Sequence, residues 1–343
     1  MPSNRAAWQD AVGIPLSIRQ TPYQTNLTPT QILIKPQAWA INPADHILQD
    51  LSLPFVKYPV ILGEDIAGTI EAVGSEASAQ FQVHDRVLAF AQGATRGSAM
   101  GGFQEYVVVD MAFTCGIPGE MSFAEASVFP LGFTTAAHAL FNSKTLALPG
   151  PEVDAVPGSK GERVLVWGGA SSVGGNAIQL ARAAGLEVLT TASKRNFEYV
   201  GELGASMVFD YGSESVVADL VSELDNSGVP CVGIFQAAGH SDSLRPCFEI
   251  AQRATGDIFV ITTSPLQEGV VPEGVRAKML LGDSHDDILS MWKEFLPKAL
   301  EEGKYIVAPE PLVVETTGLE GIQLGYDILK KGVSARKVVV LAD

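Results

Sequence analysis

Short runs of alternating apolar and polar residues fill the first third of the chain, each closed by Gly or Pro. Gln31 to Asn42 (QILIKPQAWAIN), Tyr58 to Leu62, Ile66 to Val73, Asp85 to Phe90 and Phe103 to Val109 each read as a strand. Punctuated strands this close together predict a β-barrel-like unit. From Ser122 onward the pattern changes. Phe123 to Leu140 has helical spacing with a break at Pro130-Leu131-Gly132, and Pro149 to Gly161 is a polar connector. Apolar strands then follow at Arg163 to Trp167, Leu186 to Ala192, Ser206 to Asp210, Cys231 to Phe235 and Ile258 to Ile261. Helical stretches separate them, to Ala184 and over Phe197 to Leu203, Ser215 to Leu224 and Ser243 to Ala251. This alternation predicts a doubly wound parallel α/β sheet.

The turn after the first of these strands carries the chemistry. Gly168-Gly169-Ala170-Ser171-Ser172-Val173-Gly174 joins strand to helix, with Ser171 in place of the middle glycine of a dinucleotide fingerprint. Free N–H groups and the helix dipole make such an N-terminus an anion site, and small residues let a pyrophosphate approach. About 20 residues on, an NAD-preferring site would carry an acid for the ribose 2′-hydroxyl. Here the strand ends in Ser193, Lys194 and Arg195, a hydroxyl and two cations suited to a 2′-phosphate. NADPH is therefore the expected cofactor; the plainer reading is a solvated basic turn. Tyr211, after the next strand, is either a lid over the adenosine half or ordinary packing.

Composition narrows the partners. The 343 residues are 46% hydrophobic and carry 39 Asp and Glu against 23 Lys and Arg, a formal charge of −16. That acidity, without a basic cluster, argues against nucleic acid and anionic membrane surfaces as partners. No uninterrupted apolar stretch of about 18 residues predicts a span, and the N-terminus lacks the apolar region of a secretory signal, so a cytoplasmic protein is expected. Cys115, Cys231 and Cys247 are odd in number and far apart, which fits free thiols in a reducing compartment.

Several further segments together resemble the medium-chain dehydrogenase/reductase family. Asn42-Pro43-Ala44-Asp45 is similar to the N-P-x-D turn of its zinc-independent, quinone oxidoreductase-like branch, and Gly63-Glu64-Asp65-Ile66-Ala67-Gly68-Thr69-Ile70 to its G-x-D-x-x-G-x-V segment. His84-Asp85-Arg86-Val87 matches G-D-R-V except for His84, and Gly102-Phe103-Gln104-Glu105-Tyr106 resembles G-A-F-A-E-Y. Pro130 to Leu140 follows P-L-x-x-x-T-A-x-x-A-L. Trp167 to Gly174 and Ala192 to Phe197 look most like fungal trans-acting enoyl-reductase-like proteins.

The resemblance implies a Rossmann domain at residues 128–275 inserted in a GroES-like catalytic domain formed by residues 1–127 and 276–343. It places Thr135 and the strand end Gln236-Ala237-Ala238-Gly239 by the nicotinamide, so Ala238 and Gly239 join the cofactor set. Zinc-dependent relatives carry a Cys where Asn42-Pro43 stands and a G-H-E ligand pair where Gly63-Glu64-Asp65 stands, and their four-Cys lobe has no counterpart. A zinc-independent NADPH enoyl or enone reductase of fungal secondary metabolism is thus implied, acting on a small molecule or a carrier-bound polyketide intermediate, as a monomer or homodimer. The alternatives are a general quinone/enone reductase or a catalytically silent NADPH-binding partner protein. His46 is a candidate proton relay. Lys57 and Tyr58 either orient a carbonyl or pack at a rim, and Asn42 either holds its turn or reaches the ribose. Asp45 and Asp65 read as architectural.

Overall fold

A computed structural model describes residues 3–238, 241–280 and 285–343. The chain divides into two units, one of residues 1–131, 292–303 and 309–343, the other of residues 132–291 and 304–308.

In the first unit the strand Gln31–Ala40 is the hub. It pairs antiparallel with Asp65–Val73, with Arg336–Leu341 and with Val107–Asp110, and the sheet continues through Arg86–Phe90 to Thr114–Gly116. A smaller sheet joins Asn4–Gln9 to Ser17–Thr21 and Val60–Ile61. Pro36 has no N–H for the ladder, and the register against Asp65–Val73 shifts between Pro36 and Ala38. Gly68, opposite that irregularity, leaves no room for a side chain: a Cβ there would lie 2.2 Å from the Lys35 carbonyl oxygen. Ile32, Ile34, Trp39, Ile66, Ile70, Val87, Val338 and Val340 point into one apolar core.

Two local expectations change in this unit. The strand expected over Phe103 to Val109 starts only at Val107. Gln104 turns its amide inward, donating to the carbonyls of Ser98 at 2.9 Å and Gly101 at 2.7 Å, and only an isolated bridge to Ala6 remains of the pairing there. The helix break expected at Pro130-Leu131-Gly132 lies earlier. Helix Phe123–Ala126 ends, and Pro130 opens the helix Pro130–Phe141, as a residue without an N–H does best at a first turn.

The second unit holds six parallel strands in the spatial order Met207–Asp210, Glu187–Ala192, Arg163–Trp167, Cys231–Gln236, Val260–Thr262, Ala277–Met279. Numbered along the chain this is 3-2-1-4-5-6, the dinucleotide-binding order with its reversal beside Arg163–Trp167. Arg163–Trp167 is buried at every position, which explains its unbroken apolar run. The nucleotide-domain range 128–275 stops just before the sixth strand. Helices Ser172–Ala183, Val216–Asn226 and Leu244–Arg253 connect the strands. Among the described residues no helix is long and apolar enough to cross a membrane.

Candidate active site

The glycine turn of the second unit is built from its neighbours. Gly168 has φ +86°, a left-handed conformation that favours glycine, and a Cβ on it would meet Ala238 at 2.7 Å. Gly168 N–H donates to Thr191 Oγ1 and Gly169 N–H to the Thr191 carbonyl, both at 3.0 Å, which ties the turn to the second strand. Gly174 packs the helix onto the turn; a Cβ there would lie 2.3 Å from the Gly168 oxygen.

Ser171, in the middle glycine's place, caps the helix. Its Oγ accepts from Gly174 N–H at 3.0 Å and donates to the Gly168 carbonyl at 2.9 Å. Its hydroxyl is thereby turned onto its own helix. The N–H groups of Ala170, Ser172 and Val173 have no partner among the described residues, and Ser172 Oγ is buried without one. Unpaired donors at a helix N-terminus, beside a surface with no space for Cβ atoms, fit a pyrophosphate. Helix Pro130–Phe141 passes the same turn, since a Cβ on Gly132 would lie 2.7 Å from Ser172 Oγ. Part-exposed Thr135 follows one turn further along that helix.

At the end of the second strand Ser193 Oγ accepts from Asn196 Nδ2 at 3.1 Å, and Arg195 is exposed. Lys194 is 83% exposed, with Nζ 3.8 Å from Asp210 Oδ2. Asp210 is a neighbour that motif reading missed. It ends the third strand in register with Ala192, so the topology brings a carboxylate to the place where the second strand carries none. Tyr211 beside it is 52% exposed, and Ala238 lies against Gly168 as described. Gly239 lies outside the described residues.

The polar centre of the first unit surrounds Asn42. Asn42 Nδ2 donates to Asp65 Oδ2 at 2.8 Å, its Oδ1 accepts from Lys337 Nζ, and its N–H donates to Asp45 Oδ2 at 2.7 Å. Lys337 Nζ stands 2.7 Å from Asp65 Oδ2, and Asp65 Oδ1 accepts from Leu131 N–H at 2.5 Å. Both partners of this ion pair are buried. Asp45 reaches back from the first turn of helix Pro43–Asp50 to its N-cap. Burial, with the Asp65 charge adding to it, pushes the Asp45 carboxyl up to about 7 against the pull of the Asn42 N–H and Lys337. Burial first, and then the Asp45 and Asp65 charges, push Glu64 well above the usual carboxylate range.

The remaining sequence candidates lie along helix Pro43–Asp50 and the segment after it. Burial, and then the Lys330 charge, lower the pKa of His46 from the usual imidazole value, which favours neutral imidazole near pH 7. Its Nδ1 is 3.8 Å from Asp50 Oδ2, within ion-pair reach and too far for a hydrogen bond. Tyr58 donates its hydroxyl to the Leu48 carbonyl at 2.5 Å, pinning the end of that helix. Lys57 is exposed. Among the described residues no group of three His, Cys, Asp or Glu is placed to hold a metal ion. The cysteines are unpaired, and burial raises the Cys115 thiol to about 12 and the Cys231 thiol to about 11.

The profile of the alcohol dehydrogenase GroES-like domain matches residues 28–119, and that of the zinc-binding dehydrogenase matches residues 172–284. The chain is 38% identical to the dehydrogenase pigH of Monascus ruber, over 99% of this chain and 100% of that one. It is 39% identical to the trans-enoyl reductase himH of Aspergillus japonicus, over 90% of this chain and 89% of that one. The fold is that of the quinone oxidoreductase from Coxiella burnetii, with a TM-score of 0.74 and 23% identity across 100% of both chains.

Proposed function

This chain belongs to the medium-chain dehydrogenase/reductase superfamily, an oxidoreductase family, and we propose that it is an NADPH-dependent, zinc-independent reductase of activated C=C bonds. Its substrate is an enoyl or enone compound, free or carrier-bound, in fungal secondary metabolism. The glycine turn carries the cofactor part of this reading, because its unpaired N–H groups are the donors a dinucleotide diphosphate requires. The trans-enoyl reductase among its relatives supports the reaction class. Asn42-Pro43 and Gly63-Glu64-Asp65 stand where zinc-dependent relatives carry their ligands, and this supports the zinc-independent part of the reading.

The N–H groups of Ser172 and Val173 hold the pyrophosphate, with Ser171 keeping the helix end open toward it. Lys194 and Arg195 supply cationic donors to a 2′-phosphate. Asp210, within ion-pair reach of Lys194, offsets part of that ammonium's pull on the phosphate, so Arg195 carries more of the discrimination. Thr135 and Ala238 border the nicotinamide half. When bound, the reduced nicotinamide supplies hydride to the β-carbon of the alkene. The residues of the chain then have two tasks, to stabilise charge on the substrate carbonyl oxygen and to return a proton to the α-carbon.

Turnover of enones, enoyl thioesters and quinones with NADPH and with NADH tests the reading. It expects NADPH-linked loss of the alkene, with NADH much poorer. Reduction of quinones alone, or preference for NADH, overturns it.

A further inference from the structure

The fourth and fifth strands of the second unit end on a buried amide. Gln236 closes Cys231–Gln236 and Thr262 closes Val260–Thr262, and the parallel register sets Gln236 between Trp167 and Thr262. Thr262 Oγ1 donates to Gln236 Oε1 at 2.5 Å and accepts from the Ser264 N–H at 2.8 Å. Gln236 Nε2 donates to Ser264 Oγ at 3.2 Å and to Ser243 Oγ at 2.5 Å. The Gln236 carbonyl accepts from the Thr263 N–H at 3.1 Å, which carries the pairing one residue past the strands. Gln236, Thr262 and Ser264 are buried.

An amide taken out of water destabilises a core unless its polar atoms are bonded, a demand that an apolar side chain does not make. What the amide adds is direction. Its bonds have preferred lengths and angles, so the ends of both strands and the segment at Ser264 are held in one arrangement. Ser243 stands at the N-cap of helix Leu244–Arg253, yet its hydroxyl makes no cap bond to that helix and accepts from Gln236 instead. The network adjoins the glycine turn through the next two residues. Ala237 donates its N–H to the Trp167 carbonyl at 3.0 Å, and its own carbonyl accepts from Ser171 Oγ at 3.3 Å. Ala238 lies against Gly168. In this strand order the adenosine half of a dinucleotide lies over the first three strands, where Lys194 and Arg195 stand, and the other half lies over the fourth to sixth.

We propose that Gln236 is a positioning residue for the nicotinamide ring, an inference that rests on the proposed function. It acts through Ala237 and Ala238. By fixing the ends of the fourth and fifth strands against each other, the amide holds the backbone beside the glycine turn in one place. The ring resting there then presents a single face for hydride transfer.

Two measurements on the full chain test this. Calorimetry follows binding of NADPH and of adenosine 2′,5′-bisphosphate, which carries only the adenosine half with its 2′-phosphate. Mass spectrometry follows transfer to an enone from NADPH deuterated on one face of the nicotinamide C4. Wild type draws on one face alone. Q236L binds the bisphosphate as wild type does, transfers hydride about 100-fold more slowly and draws on both faces, since a displacement of about 1 Å at the reacting atoms costs that much. T262V, which removes the donor to Gln236 Oε1, moves the same way, whereas T262S keeps the hydroxyl and transfers from one face. That pair carries the test should Q236L not fold. Wild-type rate and face selectivity in Q236L, or in T262V where it stands in, overturn the proposal alone. Loss of bisphosphate affinity in step with the rate does so too, because the network then merely supports the whole unit. A wild type that binds neither nucleotide, or transfers no hydride to an activated alkene, overturns the parent reading with it.

Discussion

Adding one methyl group at Gly174 separates a nucleotide turn from an ordinary one. In G174A the new Cβ would stand 2.3 Å from the Gly168 carbonyl oxygen and 2.8 Å from Gly169 Cα, both backbone atoms. Ordinary contact begins near 3.4 Å, so helix Ser172–Ala183 must retreat by roughly 1 Å. The Ser171 Oγ bond to the residue 174 N–H, 3.0 Å long, is then lost. Overpacking of this kind costs about 1–3 kcal/mol and a lost cap about 1 kcal/mol, against a helix-propensity gain of about 1 kcal/mol for Ala. Net destabilisation of about 1–3 kcal/mol follows. The same retreat draws the Ser172 and Val173 N–H groups away from a bound pyrophosphate, at about 1.5 kcal/mol or more per charged hydrogen bond, a tenfold loss or greater. G175A is the internal control. Its Cβ meets the flexible Leu203 Cδ1 at 3.1 Å, with the Tyr199 hydroxyl at 3.5 Å and Ala308 Cβ at 3.6 Å in ordinary contact, so it folds about as well as wild type. Thermal unfolding followed by circular dichroism, and NADPH titration followed by protein fluorescence, read both effects. Equal stability and equal NADPH affinity in the two variants would refute the reasoning.

Three further outcomes follow from the same structure. K337M leaves Asp65 buried without its ammonium and lowers stability in urea by about 3–5 kcal/mol, while K337M/D65N recovers much of the loss; an unchanged urea midpoint in K337M would show that the pair contributes nothing. Asp45 is raised when folded, so between its ordinary 3.8 and about 7 the native state holds the extra proton and stability falls as pH rises. D45N makes the urea-midpoint profile shallower across that window, leaving the fall that the raised Glu64 contributes, and a wild-type profile that rises there contradicts the assignment. R195A weakens NADPH by roughly tenfold and leaves NADH unchanged, with K194A the smaller effect because the nearby Asp210 carboxylate offsets part of that ammonium's pull; equal losses for both cofactors in calorimetry would remove the 2′-phosphate from this end of the sheet.

Local signals carried most of the architecture. After its paired Arg163, the strand Arg163–Trp167 is apolar at successive positions because both of its faces are covered, and the Gly168 to Gly174 turn announces itself through the close approaches its glycines permit. Signals faded where an element is short or a partner is distant. Ala277–Met279 spans three part-buried residues and has no periodicity to read, yet it completes the parallel sheet. Lys337 stands in the segment RKVVVL, which carries no motif of its own. Its partners Asn42 and Asp65 lie far away in the sequence, and only the folded sheet shows it buried. Asp210 was hidden by the motif itself: an acid was sought at the tip of the second strand, whereas the parallel register delivers one from the third. Asn42 and Tyr58 stand out by motif, and the fold shows what they touch: the Asn42 N–H and the Tyr58 hydroxyl hold helix Pro43–Asp50 at its two ends, while the Asn42 amide bonds Asp65 and Lys337.

Hydride tracing addresses the reductase reading most directly. NADPH deuterated at the transferable position, incubated with an α,β-unsaturated thioester and analysed by mass spectrometry and NMR, is expected to yield the saturated product with one deuterium on the β-carbon. Tight NADPH binding with no deuterium in any product, or deuterium on the carbonyl carbon of an alcohol, would contradict it.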